Sequence, residues 1–334
     1  MHGPFGSRDA DSNASLHHTL TMRENRLALA EDPGTMEILS GDERLQRAMA
    51  YAGTLEQVER QINEELRILE IEVQQGIVDA STGVASEIRE TLTARKDVVT
   101  PLAAEYGSVQ IATLAPNIGG MAPVGGEVSE ILVNSSAVAR ADSADLRGIL
   151  VHEARHTDQV ELQTGSDVAL VVDGREVTDE TVLLEGDTET HVIDVTGFDR
   201  DDRPVAVYGE GKEIADGIQR NHRQLWNTVL TETGKVEDLQ NAVWIDGVEQ
   251  GKLSTEDIAR ESKQTGYMFN DAFIAAQNEL WAQAIESGKI DAQEVLEVAK
   301  QLDIELSSRV NLAIAKVAAE TRKMYLEGPK ALAA

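Results

Sequence analysis

DLRGILVHEARHTDQ, residues 145–159, is the stretch on which the reading of this chain turns. Leu146, Ile149, Leu150 and Val151 form an apolar approach that would bury a helix. Asp142 and Ser143 just upstream are both good N-caps, so the spacing predicts a helix from there to about Leu162, with Gly165 as its stop. On a helix, four residues turn through about 400°, which puts His152 and His156 about 40° apart on one face and one turn apart along the axis.

That spacing lets two imidazoles reach a single tetrahedral zinc ion at about 2.0–2.1 Å. Glu153 follows the first histidine and lies beside the remaining, water-bearing position. A carboxylate there can take a proton from water and pass it to a departing amine. Two histidines four residues apart also occur as ordinary polar residues on an exposed helix. The apolar run weighs against that alternative, because burying His152 and Glu153 without a partner costs several kcal/mol and a zinc ion resolves the cost.

His152-Glu153-Ala154-Arg155-His156, with a strand candidate just upstream, resembles the zincin superfamily of zinc metallopeptidases. The likeness covers about Glu127 to Val195. It implies an edge strand before the motif helix, on which substrate binds as an added strand. Arg155 departs from the family, which usually has an uncharged residue there, and is expected to point away from the metal. The metzincin pattern would continue with Gly and His where Gln159 and Leu162 stand, so that branch does not apply. The glutamate-ligand (gluzincin) branch implies an acid on a second helix, and LEGDTE at 184–189 supplies candidates. Glu185 is the expected third ligand. Asp187 and His191 are its rivals. Glu189 sits where such enzymes place an acid that hydrogen-bonds the first histidine. Tyr208, His222 and Tyr267 lie downstream, where zincins place groups that stabilise the transition state, although a structural role suits each of them better.

The rest of the chain reads as four segments. Residues 1–35 lack apolar periodicity and read as a flexible arm, and they contain His2, His17 and His18. Residues 36–105 are helical: Leu55, Val58, Ile62, Leu66, Leu69 and Val73 recur every three or four positions. A second helix there is predicted from about Ser81 or Val84 to Val99, ending before Pro101. Residues 106–200 form the zincin-like catalytic core, with strands at Val109–Leu114 and Glu127–Val133. A hairpin turns at Asp173-Gly174 and is expected to rim the cleft, and Thr178 and Asp179 cap the next helix. Residues 201–334 return to helix, at about 212–232, 255–287 and 291–325, with turns at Asp246-Gly247 and Gly288. Trp226, Trp244 and Trp281 read as core anchors. The expected class is α+β, mainly α, with a small sheet flanked by long helices on both sides.

Composition narrows the function. Acids outnumber bases 59 to 30, for a formal charge of −29. Such a chain is repelled by nucleic-acid backbones and anionic lipid, and its field favours basic or neutral peptides over acidic ones. Cysteine is absent, which removes disulfides, thiolate metal sites and cysteine nucleophiles. The longest uncharged stretch, Tyr106 to Gly126, holds two prolines and five glycines and makes a poor membrane helix. No phosphate-binding loop, GxSxG elbow or EF-hand loop is present. The expectation is a soluble zinc endopeptidase acting on polypeptides, cytoplasmic or part of a larger assembly. It would take no nucleic acid and have no membrane span, and its long helices are free to hold a protein partner. The alternative is a helical structural or assembly protein, such as a virion component, with a vestigial or metal-binding-only core.

Overall fold

The computed structural model describes residues 38–197 and 206–331, the side chains of 206–210 and 324–331 excepted. The expected N-terminal arm and its histidines lie outside the described residues. The fold is mainly helical with a few short strands. Helices α1 (Gly41–Ala50), α2 (Leu55–Gln74) and α3 (Val84–Tyr106) lead to strands β1 (Gln110–Ala112), β2 (Gly120–Met121) and β3 (Leu132–Asn134). Helices α4 (Ser135–Arg140) and α5 (Ser143–Asp158) follow, then the hairpin β4 (Leu170–Val172) and β5 (Arg175–Val177), then α6 (Thr181–Thr196). The chain ends in α7 (Ala206–Thr228), α8 (Val236–Glu249), α9 (Thr255–Thr265), α10 (Asp271–Glu286), α11 (Ala292–Gln301) and α12 (Ser308–Ala331). No helix among the described residues is long and apolar enough to cross a membrane.

The described chain forms two compact units, residues 38–119 with 132–146, and residues 120–131 with 147–331. In the first, the α2 stripe Leu55, Val58, Ile62 and Leu69 is fully buried, as are Leu92 and Val99 of α3. Ser40 and Glu43 cap α1 reciprocally, which satisfies two of its free N–H groups. Helix α3 does not stop before Pro101 but continues through it. Pro101 itself is exposed, while Leu102, Ala103 and Tyr106 beyond it are buried, so packing of the last turn outweighs the lost hydrogen bond. Strand β1 pairs in parallel with β3, Ile111 opposite Val133. Leu55 N donates to Val109 O and Ile111 N to Gly53 O, which stitches this segment to the helices. The strand expected over 127–133 shortens to β3, because Glu127 N donates to Glu130 Oε2 and the chain tightens into a 3-10 turn at Val128–Glu130.

In the second unit the hairpin turns at Asp173 (φ 50°) and Gly174 (φ 74°), the left-handed pair that a two-residue turn needs. It is anchored in the C-terminal core. Gln240 brackets Val171, donating to its carbonyl and accepting from its N–H, and the Tyr267 hydroxyl donates to Ala169 O. Trp226, Trp244 and Trp281 are buried in that core. Two expected long helices are each broken. The first stops at Gly266 (φ 72°), and Asn270 caps the restart at α10 by accepting from Phe273 N. The second breaks between α11 and α12, where Asp303 has φ 54°. Leu302 and Ile304 of that connection are buried, so the apolar period runs on through a non-helical segment and hides the break. Asp246-Gly247 is inside α8 and is no turn: a Cβ at Gly247 would come within 2.4 Å of Leu253 Cδ1, so the glycine serves packing.

The first unit also buries charge. Arg44 pairs with Glu72, lies 3.7 Å from Glu65, and donates through Nε to Leu39 O; Arg47 Nε donates to Glu65 Oε1. Arg44, Glu65 and Glu72 are all buried. Removing one member of a buried pair leaves the other charge stranded, so Arg44→Ala should cost about 3–5 kcal/mol, measured by urea unfolding.

Candidate metal centre

Two helices of the second unit build the centre. Helix α5 ends at Asp158, short of the expected Leu162; Val160 N instead donates to Leu230 O. Its buried Leu150 and Val151 seat it in the interior, so the next turn carries His152, Glu153 and His156 into burial as well. Helix α6 starts after Asp179, whose carboxylate accepts from Thr181 N. It is nearly all buried from Val182 to Glu189, and Glu185 is its most exposed side chain there at 23%. Gly186 lets α7 approach closely: a Cβ on it would lie 2.1 Å from Gly211 O, and one on Gly211 would lie 2.4 Å from Val182 O. The helix that carries Glu185 is thus pinned, backbone to backbone, one residue from the ligand candidate.

The structure brings His152, His156 and Glu185 together. His152 Nε2 lies 3.3 Å from His156 Nε2 and 3.3 Å from Glu185 Oε2, and His156 Nε2 lies 3.6 Å from Glu185 Oε1. Partners on the far side of each ring fix what these atoms are. Glu189 Oε1 is 3.1 Å from His152 Nδ1, and a carboxylate only accepts. Gln159 Oε1 is 2.8 Å from His156 Nδ1. With protons on both Nδ1 atoms, two lone pairs and a carboxylate converge on one point. A cation, or a proton, must resolve this crowding. These residues fit a metal ion.

Without metal the proton does it. Burial opposes charge on His152, but the Glu185 and Glu189 carboxylates prevail and raise its pKa to about 9. Burial likewise pushes Glu185 up, and the two imidazoles overcome it, taking Glu185 down to about 2.

Glu153 is buried, and Gly120 of β2 lies directly against it. A Cβ there would meet Glu153 Cγ at 2.6 Å and Oε1 at 2.9 Å. The same glycine-rich segment returns at Gly125 (φ 69°), whose N–H donates to His156 O. The Ile131 side chain, at the expected substrate strand, is fully buried.

Other expected residues stand elsewhere. Asp187, a rival ligand, accepts from Nε and Nη2 of Arg155, from Gln159 Nε2 and from Trp226 Nε1, which saturates it. Arg155 is thereby turned to Asp187. The other rival, His191, is outside the three-residue cluster, and burial and then Arg155 lower its pKa. His222 sits at a kink in α7, 3.0 Å from Asp246 Oδ2. Tyr267 is spent on Ala169 O, and burial raises it to about 12. The Tyr208 side chain lies outside the described residues.

No protein-family model, curated protein or solved structure matches the chain. The centre therefore rests on its own geometry. Sequence reasoning missed Gln159, Gly120, Gly186 and Gly211. Gln159 carried a signal: it follows His156 by three positions and so shares the motif face. The glycines carried none, since a close approach is a property of the partner segment.

Two outcomes follow from this geometry. Gly186→Ala must separate α6 from α7 and should weaken metal binding, whereas Gly120→Ala should displace Glu153 and leave metal binding within a few-fold of the parent. Calorimetric titration of both variants with divalent metal checks the contrast. In the metal-free protein, the contribution of His152 to stability is complete below its ordinary value of 6.5 and fades as pH rises through about 9. That of Glu185 is complete above 4.5 and fades as pH falls towards about 2. Urea unfolding across pH should show the joint contribution at its plateau between 4.5 and 6.5.

Proposed function

We propose that the protein is a zinc metallopeptidase: His152, His156 and Glu185 hold the ion, and Glu153 moves the proton. The observation that carries this reading is the spacing of the ligand atoms. Donors held about 2.0–2.1 Å from a tetrahedral zinc ion sit about 3.3–3.4 Å from one another. The two Nε2 atoms are 3.3 Å apart, with Glu185 oxygens at 3.3 and 3.6 Å. Two imidazoles and one carboxylate also leave a fourth position open, the pattern of catalytic rather than structural zinc.

A bound zinc ion supplies Lewis acidity for a peptide carbonyl and lowers the pKa of water towards neutrality. Glu153 accepts the proton of the attacking water and returns it to the amine that leaves. Its burial keeps that carboxylate out of bulk solvent and in one place. Glu189 holds the His152 ring in one orientation through Nδ1. The substrate is a polypeptide, and the extended backbone beside Glu153 on which it would align is Gly120–Met121, in place of the segment around Ile131.

The experiment is a pair of substitutions in the full chain. Glu153→Gln should keep zinc, read by mass spectrometry, and lose about 10²–10⁴-fold in the rate of cleaving an unfolded test polypeptide. His156→Ala should lose the zinc itself. A parent protein that binds zinc and cleaves nothing would favour the scaffold reading.

A further inference from the structure

Glu189, the acid beside His152, is what the zincin resemblance leads one to expect; the support of His156 is different. We infer that Gln159, locked by Asp187 and Arg155, is the positioning residue for His156. This inference rests on the metal-centre reading above.

Gln159 is fully buried, and its amide has one permissible orientation. Nε2 faces Leu184 O at 2.9 Å and Asp187 Oδ2 at 2.9 Å, both of which only accept, and Thr188 Oγ1 at 3.1 Å. The amide nitrogen must point there, so Oε1 must point at His156 Nδ1, 2.8 Å away. An amide oxygen cannot donate. The proton is therefore forced onto Nδ1, and the Nε2 lone pair is forced towards His152 and Glu185. A glutamine without these acceptors could turn its amide over and offer His156 an N–H. Leu184 O and Asp187 together hold it, and Asp187 is itself held at 2.7 Å by Arg155 Nε and at 2.9 Å by Trp226 Nε1.

Arg155 on α5 and Gln159, the first residue beyond its end, both grip the same carboxylate on α6. Asp187 is two residues from Glu185. The clamp thus fixes the ring orientation of His156 on α5 by way of an acid on α6, through one chain of hydrogen bonds. It also assigns a role to Arg155, the residue that departs from the zincin pattern, and to Asp187, which is near the centre without being a ligand.

The test is a double-mutant cycle on zinc affinity, by competition with a chromophoric chelator, in the full-length protein. Gln159→Met keeps side-chain length and removes the acceptor, and should weaken zinc about 10–100-fold. Asp187→Asn should weaken it also, by releasing the amide of Gln159. The two together should lose little more than Gln159→Met alone, because Asp187 acts through Gln159. Losses that add, or a Gln159→Met protein that binds zinc as tightly as the parent, overturn the clamp and leave the peptidase reading standing. A parent that binds no zinc overturns both. Should a variant fail to fold, long-range ¹H–¹⁵N spectra of the metal-free parent decide. With His156 neutral, its proton belongs on Nδ1, and the opposite tautomer sinks the proposal.

Discussion

Three electron-rich atoms that converge inside a protein form an arrangement that cannot stand by itself. His152 Nε2, His156 Nε2 and Glu185 lie 3.3 to 3.6 Å apart in largely buried surroundings. Brought that close, such groups repel and demand a positive charge at their centre. The rest of the second unit can be understood as the machinery that imposes this unfavourable meeting. Burial of α5 carries the motif inside, and the glycine contact between α6 and α7 removes the freedom by which α6 could retreat. Gly120 lays backbone against Glu153 where any side chain would push the motif away.

This imposition has a thermodynamic side. In the metal-free protein a proton can take the place of the ion, because the Glu185 and Glu189 carboxylates raise the His152 pKa against the effect of burial. A metal ion bound there would compete with that proton: its binding would release protons, and its affinity would rise with pH until His152 is neutral. Because the ion binds the folded arrangement and not the dispersed ligands of the unfolded chain, the metal also adds to global stability. The long C-terminal helices enter the same account, since Trp226 of α7 reaches Asp187 and so touches the support of the site.

Much of this was legible in the sequence where the signal was periodic. HExxH at helical spacing, the apolar approach of Leu150 and Val151, and the stripe of Leu55, Val58 and Ile62 all read directly as buried helix faces. The Asp173-Gly174 turn was equally readable because its backbone conformation depends on two adjacent residues. Other features were hidden for identifiable reasons. Pro101 signals a stop that buried Leu102 and Tyr106 override. The breaks before α10 and α12 were masked because Tyr267, Leu302 and Ile304 keep the apolar spacing while leaving the helix. The Gly186–Gly211 contact joins residues 25 positions apart, and neither neighbourhood announces the other. Gln159 was visible and its meaning was not, since its amide acquires an orientation only from Leu184 and Asp187.

Why an amide should support one histidine and a carboxylate the other follows from charge. Glu153, Glu185, Asp187 and Glu189 already place four acidic side chains in or beside the centre, one of them paired with Arg155. A divalent cation would offset part of that acidity in an interior that solvates charge poorly. A second carboxylate behind His156 would add to it, and it would face Asp187 across the 2.9 Å now bridged by the Gln159 amide. Glutamine supplies the acceptor and satisfies Asp187 with the same group, at no further charge. In a chain with 29 excess negative charges, orientation without ionisation is the economical solution, and Arg155 is paired with Asp187, the acid that holds the Gln159 amide.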